Sequence, residues 1–543
     1  MTADEADTPA LGSRPRRSRS VTLRLVVNSV ATVAGFSGLM FLLYARSVHD
    51  QAGTSDKATV ILEGQAMASG HLLLQGWNLT FASYWTSDAP LYALAVRLDG
   101  LRPALLYLGP AVMAALVVIA GVFIAREGCR GVPALAGGVA VVALLAFCTP
   151  AMALFFVGRG FHVSTVLYAL LAFAALRRGR FGPGWVLAVV LLVAGMLGDL
   201  LLVAYGAIPL LLAGLLAGLR QRRWQSAASN VTASLASVGI AALARRLADA
   251  RGAFRSQPAL SVVNLHQIFA NLGHAPGYFS DLLGLTNGLR HNGGVPFGLR
   301  AVHVVGALCV LACLVVALRS LVTGFRRPRT APSPAGVSET WRLDDVLIIT
   351  VLCSIVPFVA FARADQNGVR YLAVSVMFTT IVAGRQVARA WPKVPVGRPA
   401  RAIAAVAVAM CLCFVAGVGY SLSSPEPQYE VPSLVAWLSA HDLRWGVGDY
   451  WAASITTVQS GGTVVVRPVE AAAGGALQKM TTLSTSSWYR GQEWQFLVYG
   501  KPIIDNVDFD AALRTWGPPA ETHVIGPYHI LVWSHPVVLP NPA

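Results

Sequence analysis

Seven side chains in a mostly apolar chain are of a type and at a place to do chemistry: Asp56, Glu63, Asp88, His162, Asp199, Arg363 and Arg370. Asp56 and Glu63 fall in SDKATVILEGQAMASGHLLLQGW, and Asp88 in SYWTSDAPLYALAV. A carboxylate near a reacting hydroxyl is a general base. Asp199, in GMLGDLLLVAYGAIPLLL, stands between two apolar runs, where an ionisable group is costly and so marks a candidate site. His162 follows Arg159 in GRGFHVST, also at the edge of an apolar run. Arg363 and Arg370 bracket the polar turn of ARADQNGVRYLAV, and guanidinium groups grip phosphate oxygens two at a time. Each has a plainer alternative: a solvated loop carboxylate for Asp56, Glu63 and Asp88, a paired buried acid for Asp199, an interfacial histidine for His162, and a headgroup anchor for the arginines.

Other chemistries lack their residues. The seven cysteines show no CxxC or Cys/His metal spacing. A P-loop, HExxH and GxSxG are absent, and GRGFHV at 158 and GVGDYW at 446 lack the third glycine of a dinucleotide turn. No nucleotide cofactor is expected; the sequence leaves a divalent metal open and names no ligand for one.

The elements that must position these residues are membrane helices. The 543 residues are 55% hydrophobic and only 13% charged, with a mean hydropathy of +0.59; an average soluble domain carries about 25% charge. The net charge of +16 would suggest nucleic acid in a soluble chain. Here the arginines sit in short clusters between apolar runs, which is the positive-inside pattern, and nucleic acid is not an expected partner. A run of about 20 apolar residues spans a bilayer. Eleven candidates occur: 21–44, 104–125, 132–156, 161–176, 184–198, 200–219, 226–244, 301–322, 344–362, 371–387 and 402–422. The fourth and fifth are short, and as a re-entrant hairpin they would reduce the count to nine without changing sidedness.

The arginine-rich connections 126–130, 177–180, 220–223, 326–329 and 385–401 place the basic N-terminus, 1–20, in the cytoplasm. The first span has no small-residue cleavage site after it, so it is expected to be retained. The long segments then face outward: 45–103, 245–300 and the tail 423–543. Within 245–300, SVVNLHQIFANLGHAPGYFSDLLGL has the spacing of a helix lying in the interface. The tail alternates β-rich runs with helical ones and is expected to be a soluble extracytoplasmic α/β or α+β domain. It holds Trp437, Trp445, Trp451, Trp488, Trp494, Trp516 and Trp533, and aromatic faces suit sugar rings as well as a core. Asp449 is its best-placed acid, and its expected role is in a turn.

On these residues the region 20–422 resembles GT-C fold glycosyltransferases that use polyprenyl-phosphate sugars, such as bacterial aminoarabinose transferases and protein O-mannosyltransferases. Asp56 lies at the family's acidic pair, with Lys57 in place of the second acid. Met67 and Gly70 match the turn that follows, Asp88-Ala89-Pro90-Leu91-Tyr92 matches the second motif without its lysine, and Arg370-Tyr371-Leu372 resembles the late outer loop. The resemblance implies an all-α polytopic fold of about eleven spans, a polyprenyl-phosphate-linked sugar donor and an envelope glycan, lipid or protein acceptor. It also implies an inverting, single-displacement transfer; the topology puts it at the outer membrane face, where Asp56 is the expected catalytic base with Asp88 in reserve, and Arg370 or Arg363 is expected on the donor phosphate. A lipid or solute transporter using Asp199 as a coupling group is the alternative; the odd span count, the absence of an inverted repeat and the large outer tail speak against it. A non-catalytic envelope scaffold would keep the fold without needing Asp56.

The topology is checked by labelling intact cells. A cysteine at Ser460 should react with an impermeant thiol reagent, and one at Ser333 should not; the reverse pattern would put every candidate acid on the wrong face.

Overall fold

The computed structural model describes residues 17–49, 54–158, 160, 162–178, 181–221, 224–257, 261–286, 297–323, 343–361, 368–391, 398–423, 430–500, 503 and 505–540. Apolar stretches with little charge become helices because only a helix satisfies its own backbone in lipid. In chain order these are α1 (Arg17–His49), α2 (Ser55–Ala68), α3 (Ala89–Asp99), α4 (Leu105–Arg126), α5 (Val132–Leu145), α6 (Pro150–Ala153), α7 (Val163–Ala175) and α8 (Pro183–Gly198). There follow α9 (Ile208–Gln221), α10 (Trp224–Ala250), α11 (Leu265–Leu282), α12 (Phe297–Thr323), α13 (Leu343–Cys353), α14 (Val356–Phe361), α15 (Val369–Ala390) and α16 (Arg398–Ser423). The tail adds α17 (Glu430–Ala440), α18 (Tyr450–Gln459) and α19 (Phe509–Trp516).

The chain is a multi-pass membrane protein. All eleven expected spans fall on helix, but the described residues hold seven stretches long and apolar enough to cross a membrane, or eight if one bent pair counts as a span. That pair is Val132–Leu145 with Pro150–Gly158, bent by 80°. A break thus falls within the third expected span, which the sequence reading treated as continuous. Thr149 explains it: the side chain accepts from Met152 N as an N-cap, and Pro150, with no N–H, starts a new helix instead of continuing the old one. The fourth and fifth spans are α7 and α8, both shorter than a full crossing.

Helix α15 is the centre of the bundle, with 89% of its apolar window buried. At the basic-loop end Arg385 donates to Asp344 at 2.7 Å and to the Ile124 carbonyl, Arg389 also reaches Asp344, and Arg220 pairs with Asp345 at 3.1 Å. These pairs tie α13, α15, α4 and α9 together at one end. Arg370 lies at the opposite end of α15.

That opposite end carries the long connections and the tail. Strands β1 (Trp77–Leu79), β2 (Arg255–Ser256), β3 (Trp445–Gly448), β4 (Val465–Ala471), β5 (Leu477–Lys479), β6 (Ser484–Thr485), β7 (Trp494–Gly500), β8 (Glu521–Ile525) and β9 (Tyr528–Val537) form two sheets. The tail sheet has the order β5-β4-β3-β7-β9-β8, with β3 parallel to β4 and β7 and the other pairs antiparallel. Period-two alternation in β7 sends Phe496 and Val498 towards Leu434, Leu438 and Ala453 on α17 and α18, and Leu497 and Tyr499 towards Ala511 and Ala512 on α19. The tail is thus an α/β layer arrangement with helices on both faces of its sheet. The smaller sheet joins β1, β2 and β6, one strand from each of the three long segments.

Helix α8 has 16 residues, a rise of about 24 Å, against a hydrocarbon layer of about 30 Å. One of its ends must lie at membrane depth, where its last carbonyls need donors. The loop before α3 supplies them: Tyr84 N donates to the Gly198 carbonyl at 2.7 Å, Ser83 Oγ to the Leu197 and Gly198 carbonyls at 3.4 Å, and Thr86 Oγ1 to the Ala194 carbonyl at 2.5 Å. Gly198 permits the approach, since a Cβ there would stand 2.9 Å from Ser87 Oγ and 3.2 Å from its backbone N. Gly198→Ala should cost about 1–3 kcal/mol through overpacking and lower the thermal midpoint in detergent. Gly239→Ala, whose Cβ would meet open space, should not lower it.

Candidate active site

The latched loop ends at Asp88, just before α3. Its Oδ2 accepts from Ser87 Oγ at 2.8 Å and from Ser164 Oγ, on the first turn of α7, at 2.5 Å. Burial pushes the Asp88 carboxyl up to about 6, with the Asp199 charge adding to the rise and the Ser164 and Ser87 hydroxyls and His162 opposing it. A carboxyl in that range exchanges its proton near neutral pH, as a base must.

Asp199 caps the end of α8 and turns back towards α7. Its Oδ2 accepts from His162 Nδ1 at 2.7 Å and Thr165 Oγ1 at 2.5 Å, and its Oδ1 from Leu201 N at 3.0 Å. Both members of the pair are almost fully buried. The acid is therefore paired, as the plainer alternative held, yet the pair lies within the cluster of acids. His162 takes a left-handed φ of 58°, uncommon for a non-glycine, two residues after Gly160 at φ 63°. Its ring stacks on Tyr371 at 5.4 Å between centroids.

Asp56 lies in the first turn of α2, where the N-cap Thr54 accepts from Lys57 N and a carboxylate favours the helix N-terminus. Its Oδ1 accepts from Tyr450 OH at 2.5 Å. Tyr450 opens α18, so the tail contributes a group to the site. The docking is specific: Ser55 Oγ donates to the Trp451 carbonyl at 2.9 Å and Thr59 Oγ1 to Ser454 Oγ at 3.1 Å. Lys57, in place of a second acid, is buried and donates from Nζ to the Leu106 carbonyl at 3.5 Å. Asp449, by contrast, caps α18 through Ala452 N at 3.0 Å and accepts from Gly500 N at 2.6 Å, the turn role expected of it.

Arg370 opens α15, donating from Nη2 to Tyr371 OH at 3.2 Å. The Tyr84 phenol lies within electrostatic reach of these groups. Burial raises its proton affinity well above the ordinary tyrosine range, and the charges of Asp199, Asp88, Arg370 and Asp56 all act on it. Glu63, one side of α2 further along, is buried with Oε2 lacking a hydrogen-bond partner; burial first, and then the Asp88 charge, push its carboxyl well above the usual carboxylate range. Arg363 and Arg159 lie outside the described residues. Among the described residues no three His, Cys, Asp or Glu side chains gather as a metal-binding group.

The structure thus brings Asp56, Asp88, Asp199, His162 and Arg370 to one end of the bundle. Reading the sequence missed Tyr84, Ser164, Thr165, Tyr371, Tyr450 and Tyr205, the last placed on a π turn, Val203–Ala207, within electrostatic reach of Asp199, Arg370 and Tyr84. A π turn often marks a functional site, but no sequence pattern announces one.

No family model matches the chain, and no curated protein matches it. Among solved structures it is similar to ArnT from Cupriavidus metallidurans in the apo state, with TM-score 0.53, 13% identity, and 93% of this chain and 98% of that one covered. It is equally similar to the same protein bound to undecaprenyl phosphate, with TM-score 0.53, 14% identity, and coverage of 92% and 98%. The chain has the GT-C fold. The match takes in nearly the whole length of both chains, so bundle, loops and tail together make up this GT-C architecture.

The ionisation of Asp88 is directly measurable. A carbon-13 titration of aspartate-labelled protein should show one carboxyl titrating at about 6 that is absent in Asp88→Asn; all carboxyls titrating near about 4 would remove the proposed environment.

Proposed function

We propose that this GT-C chain is a membrane glycosyltransferase that moves a sugar from a polyprenyl-phosphate donor to an acceptor hydroxyl of the cell envelope at the outer membrane face. The observation that carries the reading is that Asp88 and Asp199 are both bound to the first turns of α7, through Ser164 and through His162 and Thr165, with Arg370 at the adjoining end of α15 beside Tyr371, on which His162 stacks, in a fold shared with a protein solved with undecaprenyl phosphate bound. The site lies at the end of the bundle opposite the short arginine-rich connections, which supports outer-face action.

Glycosyl transfer from a phosphate needs a base for the acceptor proton, cations for the departing phosphate and an apolar groove for the lipid. Asp56 takes the proton as the acceptor oxygen forms its bond to the anomeric carbon, and Tyr450 orients the carboxylate. The bond from that carbon to the phosphate oxygen breaks on the opposite face, so the configuration inverts. The departing polyprenyl phosphate keeps the electron pair, and Arg370 stabilises it; Arg363, seven residues earlier in the sequence, is the second cation in this proposal. His162, held by Asp199 and stacked on Tyr371, positions the aromatic wall beside Arg370. Membrane lipid borders the bundle and the sugar enters as part of a lipid.

Asp88 favours a second assignment of the same role, because its carboxyl exchanges near about 6. Asp56→Asn keeps the shape and removes the basicity, so turnover should fall roughly 10²–10⁴-fold, the worth of general-base help. Donor binding should be retained. The measurement is transfer of radiolabelled sugar from a polyprenyl-phosphate donor in reconstituted membranes. Near-normal turnover in Asp56→Asn with a dead Asp88→Asn would move the base to Asp88; near-normal turnover in both variants would remove both carboxylates as the base, and no transfer by the wild type would end the enzyme reading.

A further inference from the structure

Away from the acids, β1 of the first long loop and β6 of the tail enclose a pocket of about 250 Å³. Its lining includes Trp77, Trp488, Gln65, Gln75, His71 and Ser487. The two indoles meet edge to face with centroids 4.9 Å apart, forming a corner. The ladder fixes that corner: Trp77 pairs with Thr485 and Asn78 with Ser484, and Ser486 N donates to the Gly76 carbonyl at 3.3 Å. Arg467 also packs over the Trp488 ring, its Cζ 4.3 Å from the ring centroid. Such a cation over an indole keeps the ring plane in place.

The lining has a particular chemistry. It contains no Asp, Glu, Lys or Arg side chain, which disfavours a phosphate or an acidic ligand. Carboxamides and hydroxyls beside flat apolar rings match a ligand that carries C–H faces and neutral hydroxyls on one ring. The volume is larger than a cavity of about 150 Å³ that holds benzene and smaller than drug-sized sites of about 300 Å³ or more, which fits a single sugar ring.

From these residues we infer that the Trp77–Trp488 corner is a secondary binding site for one ring of a neutral glycan. It is separate from the acids. Gln65 lies nine residues beyond Asp56 on α2, about 14 Å along the axis and two and a half turns round, on the opposite face. A ring bound there is not the one that reacts. This makes the acceptor a glycan held at a second unit, a step that rests on the proposed transfer reading, whereas the binding itself does not. The site is formed only when the tail is docked, because each half brings one tryptophan.

Saturation-transfer NMR on the full-length protein in nanodiscs tests it, with arabinohexaose, mannohexaose and galactohexaose as probes. At least one should bind saturably. Trp488→Ala should weaken it about tenfold or more, Trp488→Phe should restore most of the binding, and Gln75→Ala, at an exposed position, should weaken it without touching the core. Failure of all three glycans to bind, or equal binding by wild type and both Trp488→Ala and Gln75→Ala, would overturn the site. Asp56→Asn should bind the glycan as wild type does. A protein that binds glycan but transfers no sugar would sink the transferase reading and leave the site standing, and the converse result would do the opposite.

Discussion

A helix that ends inside a membrane must find donors for its last carbonyls, and the site depends on how α8 solves this. Water is not there to help, and each unsatisfied group costs several kcal/mol. The answer is a short polar loop, Ser83 to Ser87, laid along residues 194–198 with its backbone and hydroxyls turned to the open carbonyls. The same contact leaves Asp88 at one end of the loop and Asp199 at the end of the helix, so one requirement of backbone chemistry places two of the acids. His162, with its left-handed backbone, closes the arrangement from the start of α7.

The second organising feature is the joint between membrane part and tail. Three strands of two or three residues, none able to stand alone, unite segments far apart in sequence. Beside them α18 packs on α2, and their hydroxyl contacts set Tyr450 against Asp56. The tail is consequently a wall of the site as well as a domain with its own α/β core. The basic end of the bundle has the opposite character. There the acids of α13 are consumed by arginines of α15 and α9, which fixes the helices.

Much of this was legible in the residues, for reasons of cost. Apolar length and arginine placement mark the spans, because lipid admits little charge. Asp56, Asp88, Asp199 and His162 stood out because an ionisable group beside an apolar run needs a reason to be there. The bend did not stand out where it occurs, because Thr149-Pro150 sits in a continuous apolar run, whereas the shortness of α7 and α8 was visible in the length of their runs. Neutral partners were invisible for a different cause. Tyr84, Tyr205, Tyr371 and Tyr450 carry no charge that makes their burial unusual, so nothing local separates them from core tyrosines.

The sequence by itself determined a polytopic membrane chain, the side on which its long segments gather and which ionisable residues were worth following. Those are properties of single residues and their neighbours, and transfer free energies act on them directly. Only the tertiary structure decided that Asp56 meets Tyr450 across 394 positions, that Asp199 is bound to His162, and that two tryptophans from separate segments share a corner. Such contacts depend on strand register, helix ends and close approach at Gly198, which are set by the packing of the whole chain, and no short window of sequence contains both partners.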